Sequence, residues 1–290
     1  MAVIPFINLK GGVAKTTNAV AVAECLADCG FKTLVIDADH QCMSSELLLG
    51  EERLLRCERK KTLHDLLIAM LDDEFDAKQV ANYVQPNCSN INGGIENLST
   101  IPCSIRIDDF QTNVAKARRG FHTTDEFNAI FRRRRNALRK WLDANYDYTI
   151  IDCPPSIPIQ VRVCLSLGDC YVLPSVPDRL SVRGSLWLLD RLRRLPGKTI
   201  PGLGTLWSLY RKQNAMHSRM VAMVKKREGD YAALPKPFQT IIPNAAAIAE
   251  ASEPDKAPHS FSAKYSSTFA KLYRELSEEI VTRAALLNGN

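Results

Sequence analysis

Leu9-Lys10-Gly11-Gly12-Val13-Ala14-Lys15-Thr16-Thr17 follows an apolar run, Ala2 to Ile7, and opens an amphipathic one, Asn18 to Cys29. A strand, a glycine turn and a helix N-terminus in that order make a phosphate cradle. Backbone N–H groups and the positive end of the helix dipole both point at the anion. Lys15 then reaches the β- and γ-phosphates, and the Thr16 hydroxyl sits on Mg²⁺. A glycine turn that merely happened to precede a lysine would lack the flanking patterns, and here both are present.

Working outward, short apolar runs alternate with longer helical patterns. Strands are predicted at Ala2–Asn8, Lys32–Asp37, Leu98–Pro102, Tyr148–Asp152, Cys170–Pro174, Gly204–Leu209 and Phe238–Ile242. Helices are predicted near 15–29, 62–71, 124–144, 157–167, 180–195, 213–228 and 262–286. Nearly all-apolar strands alternating with helices predict an α/β P-loop NTPase fold, a mainly parallel twisted sheet with helices on both faces. No repeat or linker interrupts it, so residues 1–290 are read as one domain, with the charged segment Glu51–Lys61 a surface excursion. Pro5 lies inside the expected central strand, where proline removes a ladder hydrogen bond, so a bulge or break is expected there.

Composition bounds the function. With 46% hydrophobic residues the chain can bury a sizeable core, and a net charge of +6 permits contact with nucleic acid or anionic membrane without demanding it. No apolar stretch approaches the roughly 18 residues of a membrane span. The phosphate loop leaves no room for a cleaved leader, and nine scattered cysteines without C-x-x-C spacing fit a reducing cytoplasm.

Two acidic sites accompany the loop. The second strand delivers Asp37-Ala38-Asp39-His40-Gln41 to its C-terminal end, and the fourth delivers Asp152-Cys153-Pro154-Pro155-Ser156. In a parallel sheet those ends share the ligand-binding edge, so Asp37, Asp39 and Asp152 are expected to converge on Mg²⁺ and the γ-phosphate.

On the residues Lys10 to Thr17, Asp37 to Gln41 and Ile150 to Ser156, the chain resembles the ParA/MinD family of deviant-Walker ATPases, and most the ParA (Soj-like) DNA-partition branch. Ile242-Pro243-Asn244 and the closing helix around Tyr273-Arg274-Glu275-Leu276 support the resemblance. It implies an ATPase with ATP and Mg²⁺ as cofactors. Lys10 would reach across a nucleotide-sandwiched homodimer to the partner's ATP, while Gly11, Gly12, Val13 and Ala14 would wrap the phosphates. Lys15 would hold the β/γ-phosphates, Thr16 ligate Mg²⁺ and Thr17 contact the α-phosphate. Asp39 would position the attacking water, and Asp37 and Asp152 would hold Mg²⁺. Pro243 and Asn244 would line the adenine pocket. Catalysis would thus rest on Lys10, Lys15 and Asp39. The place of Lys10 at the loop's start points it away from its own β-phosphate, so hydrolysis becomes conditional on dimerisation.

Three departures stand out. Ala14 replaces a usual glycine and is tolerated unless the position needs φ > 0. His40 replaces a proline and would loosen the loop that aims the water. Ser208 to Gln213 carries Arg211 where the family has an acidic residue and Gln213 where it has an arginine, which puts adenine contacts from that strand end in doubt.

The resemblance further implies sequence-independent DNA binding in the ATP state, through basic residues on the later helices. The candidates are Arg191 and Arg194, then Arg219, Lys225 and Lys226, then Lys271, with Arg193, Arg227, Lys264 and Arg274 beside them. They are favoured over Arg132-Arg133-Arg134-Arg135, of which Arg134 lies near the buried stripe and is expected to pair with a carboxylate. A ParB-like centromere-binding protein, usually presenting a short basic segment, would stimulate hydrolysis. The protein would be cytoplasmic and nucleoid-associated, serving plasmid or chromosome partition or the positioning of another cargo. A MinD-like membrane switch would end in a basic amphipathic helix, whereas Glu275 to Asn290 reads as a packing helix. An iron–sulfur electron carrier would need cysteines in a cluster context, which Cys88, Cys103 and Cys153 lack.

Overall fold

The computed structural model describes residues 1–195, 199–251, 253 and 257–289. Six strands form its sheet: β1 (Ala2–Phe6), β2 (Thr33–Asp37), β3 (Leu98–Ile101), β4 (Tyr148–Asp152), β5 (Tyr171–Ser175) and β6 (Gly202–Trp207). All pairings are parallel, in the order β3-β2-β4-β1-β5-β6. The strands are buried nearly throughout, because helices cover both faces and leave no side for a polar alternation.

In chain order the helices are α1 (Lys15–Asp28), α2 (Met43–Cys57), α3 (Leu63–Ala69), α4 (Phe110–Arg118) and α5 (Thr124–Asn145). Then follow α6 (Ile159–Leu167), α7 (Arg179–Arg193), α8 (Ala215–Lys225), α9 (Ala246–Glu250) and α10 (Phe261–Asn288). α1, α2, α9 and α10 share the core on one face of the sheet, and α3 to α8 share the core on the other. Every residue of α1 from Asn18 to Ala27 is buried, because the helix lies between the sheet and α10. The closing helix is a packing element, as its sequence implies: Phe261, Tyr265, Tyr273, Leu276, Ile280 and Ala284 are buried.

The proline problem resolves on one side only. β1 runs in unbroken register along β4, from Ala2↔Tyr148 to Phe6↔Asp152, so no bulge is needed there. Toward β5, Val3 N donates to Asp169 Oδ2 and Ile7 N to the Val172 carbonyl, and Pro5, midway, has no N–H to give. Its ring lies against Gly168, where a Cβ would meet Pro5 Cγ and Cδ at 3.2 Å.

Phe238–Ile242 is not a strand. Only Phe238 N and Ile242 N reach β6 carbonyls, at Thr205 and Trp207. The Gln239 and Thr240 amides between them donate to the Glu279 carboxylate of α10 at 2.9 and 2.8 Å, so the ladder is interrupted by a side chain. The segment Glu51–Lys61 is not a plain excursion either: most of it continues α2, which bends at Gly50 (φ 70°) after burying Leu47, Leu48 and Leu49. α4, with Phe110 as its one buried residue, has no counterpart among the predicted helices.

Candidate nucleotide site

Strand register assembles the site. Phe6, Asp152 and Asp37 sit abreast on β1, β4 and β2, so the loop leaving β1 and the two carboxylates share one C-terminal edge. The loop closes with Gly12 at φ 69° and Ala14 at φ 59°, ψ 37°. No side chain caps α1, which leaves its first N–H groups facing the loop. Space is open above Gly11 and Gly12, where an added Cβ would meet nothing within 4 Å.

Ala14 therefore occupies the left-handed region that the sequence expectation made the condition for strain. Left-handed backbone costs an alanine about 1–2 kcal/mol, part of which a glycine returns through its larger unfolded-state entropy. Ala14→Gly is expected to stabilise the protein by about 1 kcal/mol, read as a higher urea midpoint at unchanged slope. A lowered midpoint would refute strain at this residue.

The two lysines of the loop diverge. Lys15 is buried, and its Nζ donates to the Lys10 carbonyl at 3.2 Å. Burial holds its ammonium below the ordinary range, opposed by the charges of Asp152 and Asp39. Lys10 turns outward, and its Nζ meets Asp178 at 3.1 Å with both side chains about a third exposed. Asp178 also caps α7, accepting from Ser181 N at 2.7 Å. Asn8 fixes the loop's start: its Nδ2 donates to the Pro174 carbonyl and Ser185 Oγ, and its Oδ1 accepts from Lys10 N.

Asp37 is fully buried and well supplied. Its Oδ1 accepts from Asp39 N at 3.1 Å, and its Oδ2 from Ser45 N and Oγ at 2.9 and 2.5 Å. Asp152, its neighbour across the ladder, is 1% exposed, yet neither carboxylate oxygen has a hydrogen-bond partner among the described residues. Burial raises both carboxyls above the usual range; for Asp152 the Asp37 charge adds to this while the nearby Thr16 hydroxyl and Lys15 charge oppose it without closing a hydrogen bond, and for Asp37 the Ser45 hydroxyl opposes it. An orphaned buried carboxylate is costly unless a cation or donor faces it. The residues present thus fit a magnesium–nucleotide: open backbone N–H groups, a buried lysine, a hydroxyl at Thr16 and an unsatisfied carboxylate at one edge. Among the described residues no three His, Cys, Asp or Glu side chains form a metal cage. That suits Mg²⁺, which binds through one or two carboxylates plus phosphate oxygens and water.

Asp39 is held by its own loop, with Oδ1 accepting from Gln41 N at 3.0 Å, and His40 Nδ1 lies 3.7 Å from Asp108. The loop expected to loosen without a proline is pinned by these turns. Around the second candidate surface, Tyr210 pairs with Pro243 in an isolated bridge, and Asn244 N donates to the Tyr210 carbonyl at 2.9 Å. With its carboxamide oxygen assigned toward the donors that face it, Asn244 accepts from Arg211 Nε and Nη2 at 2.8 and 3.0 Å. The departing Arg211 thus anchors Asn244. Asn18 joins the loop helix to β6 and α10, donating to Ser208 Oγ and accepting from the Tyr273 hydroxyl.

The basic candidates do not gather. Arg191 is exposed on α7 and Arg194 just past it, and Arg219, Lys225 and Lys226 on or just past α8, whereas Lys271 is exposed on α10, which packs on the other face of the sheet. Lys264 is no surface residue at all. Its Nζ is buried on Glu24 Oε1 at 2.7 Å. Arg134 meets Asp73 at 2.7 Å, the carboxylate pairing its position on the helix predicts. Sequence reasoning missed Asp178 and Ser45. The run Asp178-Arg179-Leu180-Ser181 carries a helix-cap signal that marks the first, while nothing local ties Ser45 to a carboxylate eight positions back.

Comparison with known proteins agrees with this geometry. The AAA_31 family, described as an AAA domain, matches residues 1–202. The chromosome partitioning protein ParA of Caulobacter vibrioides is 27% identical over 289 residues, covering 98% of this chain and 95% of that protein. The structure of Cyanthece apo McdA superposes with a TM-score of 0.71 at 20% identity, covering 98% of this chain and 99% of that one. The cobyrinic acid a,c-diamide synthase of Mycobacterium smegmatis, determined with an ATP analog and magnesium, gives a TM-score of 0.65 at 21% identity over 96% of this chain and 93% of that one. A P-loop sheet with this strand order, a family match across most of the chain and a near full-length partition relative place it together: the chain is an ATPase and belongs to the ParA/MinD family of deviant-Walker ATPases.

Proposed function

We propose that this chain is a partition-type ATPase, an ATP-dependent dimerising switch that binds DNA without sequence preference and serves plasmid or chromosome segregation. The near full-length likeness to a chromosome partitioning ParA supports the cargo class. The single observation that carries the switch is the divergence of the two loop lysines. Lys15 stays inside the loop, while Lys10 turns out to Asp178 at the rim, where it is of use to a second copy.

Bound at the loop, ATP would supply the phosphoanhydride, and Mg²⁺ would screen its phosphates. The chain's part is to position and to time. The loop N–H groups of Gly11 to Ala14 wrap the phosphates, Lys15 neutralises the β- and γ-oxygens and Thr17 meets the α-phosphate. Thr16, Asp37 and Asp152 would hold the metal's side of the site, and Asp39 would align a water for in-line attack. Pro243 and Asn244 border the base. Release of Lys10 from Asp178 to the partner's nucleotide couples closure to hydrolysis, and a ParB-like protein accelerates it. The exposed cations of α7 and α8 (Arg191, Arg194, Arg219, Lys225 and Lys226), with Lys271 on α10, supply the DNA contacts. Such a protein works in the cytoplasm on the nucleoid; among the described residues no helix is long and apolar enough to cross a membrane.

Sizing tests the switch. Wild type with a slowly hydrolysed ATP analogue and Mg²⁺ is expected to run as a dimer and with ADP as a monomer. Lys10→Ala is expected to bind ATP yet stay monomeric. The Lys10–Asp178 pair is exposed enough that its loss costs the fold under about 1 kcal/mol. A wild-type chain that stays monomeric under every nucleotide sinks the reading. The DNA limb is tested by titrating a random duplex across salt, where affinity falls with a log–log slope of about −0.9 per phosphate contact.

A further inference from the structure

Away from the nucleotide edge, α4, α5 and α6 enclose a groove of about 420 Å³. Its floor is apolar: Phe110 is fully buried, Phe127 is 6% exposed, and Phe131 stacks on Phe127 with centroids 6.1 Å apart. Its rim is cationic, with Arg118 from α4, Arg132 and Arg135 from α5 and Arg162 from α6. No lining residue carries a carboxylate.

The other arginines of α5 throw this rim into contrast. Arg134 has Asp73, and Arg139 has both Asp143 and Asp169. The four at the groove have none among the described residues. Arg118 donates to the Thr124 hydroxyl and Arg135 to the neighbouring Asn136 carboxamide, while the Arg132 and Arg162 guanidiniums make no hydrogen bond among the described residues. Burial, with the adjacent Arg132 charge as a smaller cause, presses the Arg135 guanidinium below its ordinary range.

We propose that this arginine-rimmed groove docks an acidic, amphipathic segment of a partner protein, apolar side chains in the aromatic recess and carboxylates on the rim. Charge complementarity chooses the sign of the partner, and the recess chooses its class. A nucleic-acid backbone would meet the guanidiniums but leave the apolar recess unfilled, and of its three rings only Phe131 is partly exposed, too little for a run of stacked bases. The groove repels the basic segment implied for a ParB-like stimulator, so this partner is a different one. The proposal stands independently of the partition reading.

The test uses the full chain and a labelled synthetic peptide with leucines one helical turn apart flanked by glutamates, followed by fluorescence anisotropy. The peptide is expected to bind wild type. Arg132→Glu/Arg135→Glu is expected to weaken binding about tenfold or more while leaving nucleotide affinity and melting unchanged. The same peptide with serines for leucines, or lysines for glutamates, is expected not to bind. No binding by wild type, undiminished binding by the double variant or equal binding of the serine peptide overturns the proposal. So does a double variant that loses a random duplex or anionic phosphatidylglycerol vesicles but keeps the peptide, which would assign the rim to nucleic acid or lipid.

Discussion

Lys15→Ala is expected to lower affinity for ATP by roughly 100-fold while the protein remains folded. The lysine is buried within the loop, its ammonium bonded among the described residues only to the Lys10 carbonyl at 3.2 Å, so reaching phosphate exchanges a neutral acceptor for charged ones. Hydrogen bonds to charged groups contribute about 1.5–3 kcal/mol each, and a lysine spanning two phosphates supplies close to 3 kcal/mol, the factor stated. Stability responds differently. Burial already disfavours the ammonium in the free protein, so removing it relieves a desolvation cost, offset by the loss of the positive charge that faces Asp152 and Asp39. Titration with a fluorescent ATP analogue beside a thermal melt separates the two effects. Affinity within threefold of wild type would mean that the loop backbone alone holds the nucleotide.

What the sequence could convey follows from how local each cause is. Leu34-Val35-Ile36 and Ile150-Ile151 are strands because both sheet faces are covered, and an unbroken apolar run states that directly. The phosphate loop is likewise written in nine consecutive residues. Phe238–Ile242 looks like the same kind of strand, yet its middle amides belong to Glu279, some 40 positions further on. Composition gives no hint of that partner. α2 is masked by Gly50, whose left-handed backbone bends the helix where its charged half begins. At the site, Asp37, Asp39 and Asp152 were legible as acids ending strands. Their register, the orphaned oxygens of Asp152 and the grip of Ser45 on Asp37 were not, because each depends on which strands become neighbours. Lys264 errs in the same way: a lysine among exposed cations in the chain is buried in the fold, on a carboxylate 240 residues away.

That burial sets the second large effect. Lys264→Met is expected to destabilise the fold by about 3–5 kcal/mol, the range for removing one member of a buried ion pair. Glu24 on α1 is 0% exposed, and its carboxylate collects Lys264 Nζ at 2.7 Å, the Tyr265 hydroxyl at 2.8 Å and Ser89 Oγ at 2.5 Å. Methionine keeps the length and apolar stem of the lysine, so what is lost is the charge, and two hydroxyl donors remain to face a desolvated anion. The coupling is measurable, since Glu24→Leu/Lys264→Met removes both charges and is expected to be more stable than Lys264→Met alone. Urea unfolding at neutral pH decides it, and a single variant within 1 kcal/mol of wild type would mean that the ion pair contributes nothing net. The consequence reaches the nucleotide edge, because Glu24 lies on the helix whose first turn holds Lys15 and Thr16. The pair locks that helix against α10, which also grips it through Tyr273 and Asn18. ATP bound at the helix's N-terminus is therefore expected to raise the melting temperature of Lys264→Met as it does that of wild type, by mass action on a site the substitution leaves intact.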